Sequence, residues 1–265
     1  MPQILRRTLL TAPLALAVDP ARAAPILPWT AYERRLRSGL TDPPGGGFDA
    51  EFEATLLDLN NLIRQRQGLP GLRADSGLIL TARAHAADMG RTGLYDHVTA
   101  DGFSPAGRVG LLARDLVGAA GENIAMRRNA SSPVQPDQIL NQWRDSPGHR
   151  ANLLARDFTH VGYGVLRQGP RVVAVGAYAE VSARLARPAP LRVQSTGQIA
   201  AALARATPTI SQFSVSEPGG DILTTTYIEG RLPSVLAPGA WQLRPHLSSG
   251  AHRYQVAWGP VFFLE

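Results

Sequence analysis

Cysteine is absent from the 265 residues, which excludes disulfide cross-links, cysteine-ligated zinc and thiol nucleophiles. Lysine is absent too. All 27 basic residues are arginine, and with 21 acidic residues the formal net charge is +6. The arginines are scattered, whereas nucleic-acid-binding proteins cluster their basic residues, so we expect no nucleic-acid partner. The charge is interpreted first as a compositional bias, with an acidic polymer or membrane headgroups as the alternative.

Common enzyme signatures are missing as well. The sequence contains no H-E-x-x-H, no G-x-S-x-G, no Walker loop and no G-x-G-x-x-G. No segment beyond the N-terminal one approaches the about 20 apolar residues that span a bilayer, so we expect no transmembrane segment after signal removal. Hydrophobic residues nevertheless make up 44% of the chain, enough for a packed core without cross-links.

The N-terminus has the three parts of an export signal. Arg6 and Arg7 provide the charge, an apolar stretch covers Thr8 to Val18, and Ala21-Arg22-Ala23 provides a cleavage site. The pattern predicts a signal peptide over 1–23 and a periplasmic or extracellular protein. The paired arginines fit a twin-arginine signal, and an ordinary secretory signal fits equally well.

After this segment the sequence predicts an α+β fold in two parts. Residues 24–48 are interpreted as a linker with a short helix over 29–40, and residues 49–183 as the main domain. Apolar stripes and helix-ending residues predict helices from Asp49, over 75–91 and over 136–144. The glycine-rich stretch 95–129 is expected to be mostly loop, and 159–166 with 171–180 are expected to form a β-hairpin.

Residues 191–265 are predicted to form a small, mostly β module. A helix is expected over 196–206, followed by short strands over 212–215, 222–228, 241–247, 254–258 and 261–264. Helices first and a hairpin after them are typical of an α+β layered main domain.

Three residues in separate segments have the chemistry of a site. His97 begins a polar turn, and Glu122 lies between a glycine and an apolar pair. Pro147 is expected to end the third helix at Ser146, and Gly148 to present His149 from a tight turn rather than a helix face. If these three loops converge, the two imidazoles suit zinc or another divalent cation with water in an open position. Glu122 is then a candidate general base on that water.

At these residues the chain resembles the CAP superfamily (SCP-like domains), and in particular its bacterial YkwD-like branch. The resemblance covers about residues 50–182, and its blocks occur in the family's order. They are Leu59 to Pro70, the alanine-rich helix with His85, the His97 loop, Gly121 to Ala125, Ser146 to Leu154 and Val161 to Gly164.

The resemblance implies a CAP-type α-β-α sandwich with a surface cleft. His97, Glu122 and His149 match three of the cleft's four polar residues. Ser146 stands where the family usually has an acidic residue, so a two-carboxylate acid–base pair is in doubt.

Other conspicuous residues have structural interpretations. His85 is expected at the edge of the core, bonded to a loop carbonyl, and Trp143 is expected to anchor the core. His160 is expected to be exposed. His246 and His252 lie in the C-terminal module without the spacing of metal ligands.

Three functions remain open at this point. The first is a non-enzymatic extracytoplasmic binding module, for which the resemblance suggests a lipid, a cell-surface polymer or a protein as partner. The second is a zinc-dependent, protease-like hydrolase using His97, Glu122 and His149. In the third, the C-terminal module carries the recognition and the main domain is a scaffold.

Overall fold

The computed structural model describes residues 24–210, 212–222, 227–228, 236–250 and 253–265. The expected signal peptide and His252 lie outside the described residues. The helices of the described part are α1 (Ile26–Thr41), α2 (Ala50–Arg66), α3 (Ser76–Thr92), α4 (Pro105–Leu112), α5 (Pro136–Asp145), α6 (Pro147–Leu154) and α7 (Thr196–Leu203). None of these helices is long and apolar enough to cross a membrane.

The strands fall into two sheets. The first contains β1 (Gly47–Phe48), β2 (Arg73–Ala74), β3 (Leu116–Arg128), β4 (His160–Gln168), β5 (Arg171–Leu185) and β7 (Ala206–Thr207). The second contains β6 (Arg192–Val193), β8 (Gln212–Ser216), β9 (Tyr227–Ile228), β10 (Gly239–Gly250), β11 (Arg253–Val256) and β12 (Val261–Leu264).

The predicted helices of the main domain form where their caps indicate. Asp49 precedes α2 and accepts a hydrogen bond from the Phe52 N–H at 2.9 Å. Asp75 does the same for Leu78 at the start of α3, which ends at Gly93 in the left-handed conformation. The prediction that α5 ends before Pro147 is confirmed, because its last helical residue is Asp145.

The first sheet is the middle layer of a sandwich, which confirms the α+β class and the α-β-α arrangement. Its main order is β1-β4-β5-β3, and β4 with β5 forms the predicted antiparallel hairpin. Helix α3 packs on one face, where Leu78 and Ala82 contact the apolar side chains of β5. Helices α2, α5 and α6 pack on the other, around the fully buried Trp143.

Small residues in β4 allow α3 to lie very close to the sheet. A Cβ placed on Gly162 would lie 2.1 Å from the backbone of Leu78 and Ile79, and one on Gly164 would lie 2.2 Å from the Arg83 nitrogen. Both glycines are therefore required by the contact between helix and strand, not by a turn.

The expectation that 95–129 is mostly loop is wrong. The stretch contains α4 and the 13-residue strand β3, which pairs antiparallel with β5 along its length. Its glycines make close contacts: a Cβ on Gly118 would lie 1.6 Å from the Glu180 carbonyl oxygen, and one on Gly121 would lie 2.6 Å from the Phe158 ring. The sequence pattern assigned these glycines to turns. They lie instead in a strand, at positions where neighbouring atoms leave no room for a side chain.

The second sheet has the order β6-β12-β10-β8-β9, with β11 beside β10. Its core contains Phe213, Trp241 and Phe262, and Ile199 and Leu203 of α7 pack against it. The predicted helix and the strands predicted over 212–215, 241–247 and 254–258 form with shifted ends, and the strand over 261–264 forms with the predicted bounds. Of the strand expected over 222–228, Tyr227–Ile228 form β9, and residues 223–226 lie outside the described part.

Residues 24–48 differ from the expected linker. Most of them form α1, which is longer than the expected helix, and its Trp29, Tyr32 and Leu36 are buried. They share one apolar cluster with Leu111 of α4 and with Phe263 of β12. Helix α1 therefore lies between the layers built on the first sheet and the second sheet, which is called the C-terminal sheet below.

Candidate functional site

Glu122 lies on β3, opposite Ala177 of β5, and its side chain is directed to the α3 face of the sheet. Arg108 Nη2 donates to both of its carboxylate oxygens, at 2.8 and 3.0 Å, and His97 Nδ1 lies 2.9 Å from Oε1. The side chain is only 3% exposed. Burial alone would raise its pKa, but the charge of Arg108 and the hydrogen bonds from His97 and Arg108 outweigh burial and lower the pKa to about 2.

His97 lies in the loop between α3 and α4, and its side chain is 43% exposed. Its carbonyl accepts a 2.7 Å hydrogen bond from Arg108 Nη2, so the backbone and the ring are fixed by the same Arg108–Glu122 pair. The hydrogen bond to Glu122 raises the pKa of His97. Because a carboxylate only accepts, Nδ1 carries the proton, and in the neutral ring Nε2 has a free lone pair.

His149 is the third residue of α6, so the expectation that a tight turn presents it is wrong. Pro147 occupies the first helical position, where its missing N–H and fixed φ are compatible with a helix. The ring centroid lies 6.2 Å from that of His97, with planes tilted by 54°. Burial first, and then the charge of His97, lower the pKa of His149, which favours the neutral ring.

Two asparagines connect α6 to β3. Asn123 Nδ2 donates to the His149 carbonyl at 3.0 Å. Asn152 Nδ2 donates to the Glu122 carbonyl at 3.0 Å and to Asn123 Oδ1 at 2.8 Å. These hydrogen bonds therefore connect α6, which carries His149, to the edge strand β3, which carries Glu122.

Ser146, the fourth expected cleft residue, lies between α5 and α6. Its N–H donates to the Trp143 carbonyl at 3.3 Å and its carbonyl accepts from the Arg150 N–H at 2.8 Å. No hydrogen bond or ion pair among the described residues joins its side chain to His97, Glu122 or His149. The serine thus helps form the helix junction rather than a second acid.

Arg108 is the site residue that the sequence reasoning missed. It is fully buried in α4, and besides Glu122 it donates to Tyr32 Oη at 3.3 Å and to the Phe103 carbonyl at 3.2 Å. The signal was available: a single arginine lies in the otherwise apolar run Pro105 to Leu112. A charge in such a run needs a buried partner, and here the partner is Glu122.

The structural interpretation of His85 is confirmed. Its Nε2 lies 3.0 Å from the Asp96 carbonyl and 3.7 Å from Glu122 Oε1, and burial lowers its pKa to about 4. Trp143 is confirmed as a core anchor, with Nε1 donating to the Ile124 carbonyl at 3.0 Å. The expectation that His160 is exposed is wrong, because it is only 7% exposed at the start of β4.

The arrangement favours holding a ligand over moving protons. Among the residues that the structure describes, no group of three or more His, Asp or Glu side chains is placed to hold a metal ion. Within the described residues, the rings of His97 and His149 lie beside each other, with 6.2 Å between their centroids. Glu122, with a pKa of about 2 and its oxygens occupied by Arg108 and His97, is a weak base at neutral pH.

Known proteins resemble the segment that contains this site. Residues 57–178 match the family model described as CAP, the cysteine-rich secretory protein family. Two curated relatives are from Bacillus subtilis (strain 168). The uncharacterized protein YkwD is 34% identical over 118 residues, which cover 44% of each chain. The uncharacterized membrane protein YlbC is 35% identical over 116 residues, which cover 44% of this chain and 32% of YlbC. The chain therefore spans less than half of the length of either relative.

Solved structures with a similar domain include an extracellular protein containing an SCP domain from Bacillus anthracis, at 28% identity. That match covers 49% of this chain and 41% of the other, with a TM-score of 0.43. An outer surface protein of Borrelia burgdorferi matches at 20% identity, covering 52% of this chain and 99% of the other, with a TM-score of 0.46.

Proposed function

We propose that the protein, whose residues 57–178 match the CAP family model and bacterial relatives, is an exported, non-enzymatic binding module whose cleft holds a divalent cation on His97 and His149. The observation that carries the proposal is the 2.9 Å contact between His97 Nδ1 and Glu122 Oε1, made while the ring centroid of His149 lies 6.2 Å from that of His97. A bound cation would supply a Lewis-acidic point to which an oxygen-bearing ligand group attaches.

The donor set fits such an ion. In metal sites a ligating histidine commonly donates its other ring N–H to a carboxylate, which fixes the tautomer and raises the basicity of the ligating nitrogen. The chain Arg108–Glu122–His97 has that form, and it leaves Nε2 of His97 available. The lowered pKa of His149 supports the same role, because a histidine binds a metal in its neutral form.

Hydrolysis has less support than binding. A metal-dependent hydrolase needs a base that accepts a proton from bound water near neutral pH. Glu122 is buried, ion-paired with Arg108 and held at a pKa of about 2. Ser146 supplies no second carboxylate, and in a metal-dependent hydrolase His97 and His149 would be ligands of the metal rather than bases.

Export is proposed on the N-terminal segment. The charged pair Arg6-Arg7, the apolar stretch and the Ala21-Arg22-Ala23 site predict a mature chain that begins at Ala24. N-terminal sequencing of the protein from cell fractions tests this, and an uncleaved N-terminus would contradict it. Replacing Arg6 and Arg7 by lysine separates the two export routes, because a twin-arginine signal should lose export.

Zinc binding to metal-free protein tests the cleft. Titration calorimetry and thermal unfolding should show one zinc per chain and a raised Tm, since a ligand at 100 times its Kd adds about 2.7 kcal/mol to stability. The variant with His97→Ala and His149→Ala should lose both effects. His246→Ala is the matched control, because it removes a histidine of the C-terminal sheet and should bind zinc as the wild type does. An unchanged Tm of the wild type after adding zinc would refute the cation site.

A further inference from the structure

A pocket of about 260 Å³ lies away from the cleft, between the segment that follows β5 and the last turns of α7. Pro188 and Pro190 line one side, and Ala201 and Ala202 line the other. The pocket is below the about 300–1,000 Å³ typical of sites for drug-sized ligands, so its occupant is small.

Both walls are fixed by buried contacts. Between the two prolines, the Ala189 carbonyl accepts from Arg114 Nε at 2.8 Å, and the Ala189 N–H donates to the Arg114 carbonyl at 2.9 Å. Proline restricts φ on either side of that anchor. The opposite wall is held because Ile199 and Leu203 of α7 are fully buried and Ala202 packs against the same core. A pocket formed in advance binds its ligand without the cost of ordering its walls.

Arg187 and Arg205 are the only charged residues that line this pocket. Neither side chain has a hydrogen bond or ion pair with a described residue, whereas nearby Arg184 is paired with both Asp75 and Asp115. Guanidinium groups have five N–H donors and no acceptor, and the remaining lining residues are alanine and proline. The pocket therefore offers apolar walls and unneutralised positive charge, with no side-chain acceptor for a cation or a sugar hydroxyl.

We propose that this pocket binds a small amphipathic carboxylate, with its apolar part between the prolines and the alanines and its carboxylate on Arg187 and Arg205. Arginine binds carboxylates in a planar, two-bond geometry that suits this end of the ligand. The volume of about 260 Å³ suits a short apolar chain. The proposal is independent of the cation site in the cleft.

Octanoate is the probe, with octan-1-ol as its neutral counterpart. By calorimetry, octanoate should bind the purified protein with a Kd on the order of 0.1–1 mM. Octanol should bind at least about tenfold more weakly, since it lacks the charge-assisted hydrogen bonds. Higher salt should weaken octanoate binding and leave octanol unchanged.

Three variants test the location. Arg187→Gln with Arg205→Gln should weaken octanoate binding at least about tenfold without changing Tm, because both side chains are exposed and unpaired. Ala201→Phe should block the pocket while keeping both arginines. Arg66→Gln with Arg156→Gln is the charge-matched control, because these exposed arginines lie elsewhere, and it should bind as the wild type does.

Several outcomes would overturn the proposal. No octanoate binding at 10 mM, which is about ten times the expected Kd or more, would refute the proposal. Equal affinities for octanoate and octanol refute the role of the two arginines. Equal loss in the control variant assigns the binding to net charge rather than to this pocket. Loss of zinc binding in the cleft experiment has no bearing on any of these results.

Discussion

Replacing Arg108 by glutamine should destabilise the protein strongly at neutral pH and much less in acid. Arg108 is fully buried, and its charge faces a Glu122 carboxylate that is 3% exposed. The variant leaves that carboxylate without its charged partner, and breaking a buried ion pair in this way costs about 3–5 kcal/mol. Arg108 also donates to the His97 carbonyl, so the His97 loop should become less well fixed.

The pH dependence follows from the pKa of Glu122. A folded-state value of about 2 against an ordinary 4.5 corresponds to about 3 kcal/mol of stability, at 1.36 kcal/mol per pKa unit. Because the folded value is the lower one, this contribution is complete above about pH 5 and is lost as the pH falls toward 2. The stability difference between wild type and Arg108→Gln should therefore narrow by about 2 kcal/mol between pH 7 and pH 3.

Urea unfolding followed by circular dichroism at pH 7, 5 and 3 measures this difference. Arg144→Gln is the control, because Arg144 pairs with Asp145 where both side chains are more than half exposed, and its loss should cost at most about 0.5 kcal/mol. Adding Glu122→Gln to Arg108→Gln should recover stability at pH 7, since it removes the unpaired buried charge. A difference that stays constant from pH 7 to pH 3, or no recovery in the double variant, would refute the reasoning.

Three further predictions concern the layers and the cleft. Gly162→Ala should destabilise the fold by about 3 kcal/mol or more in urea unfolding, because its Cβ would lie 2.1 Å from the α3 backbone and only a shift of the helix relieves that contact. Asn152→Ala should cost about 1–2 kcal/mol of stability and weaken zinc binding. It removes the hydrogen bond to the Glu122 carbonyl and so loosens α6, the helix that carries His149. Unchanged zinc affinity would contradict this. The pKa of His97, measured by NMR, should lie above 6.5 in the wild type and fall in Glu122→Gln, because the carboxylate stabilises the charged ring; an unchanged titration would argue against their hydrogen bond.

The helices of the main domain were predictable because their signals are local. Asp49 and Asp75 are helix caps that each precede an apolar stripe, and both accept the expected backbone hydrogen bonds. The hairpin of β4 and β5 was predictable for the same reason, since two apolar runs flank a short turn. Each signal lies within a few residues of the structure that it specifies.

Strand β3 was not predictable in this way, because its glycines are required by contacts with residues that are distant in the sequence. Gly118 is required by the Glu180 carbonyl, and Gly121 by the Phe158 ring, both far away in the sequence. In a single sequence such glycines look the same as turn glycines. Pro147 and Gly148 were misleading for a related reason: their turn-like pair begins a helix, with proline at the one position where a helix tolerates it.

The cleft residues of the candidate site were predictable from the sequence, but Arg108, which holds Glu122 in place, was not. His97, Glu122 and His149 stood out because each has coordinating or proton-binding chemistry and lies in a segment that resembles a block of the CAP superfamily. Arg108 lacked such a motif, and its role depends on a partner 14 positions later in the sequence. A buried charge can be suspected from an apolar run, but its partner is identified only when the fold brings the two together.

The support of the cleft extends beyond the segment that matches the family. Helix α4, which carries Arg108, lies within residues 57–178, but its contacts come from both flanks. On one side Tyr32 of α1 accepts from Arg108 at 3.3 Å. On the other side Gln242 of β10 is fully buried, and its Nε2 donates to the Ala106 carbonyl at 3.2 Å. The C-terminal sheet and α1 thus hold the helix that orients Glu122, and through it His97. This argues that the C-terminal module contributes to the cleft as structural support, whatever it binds by itself.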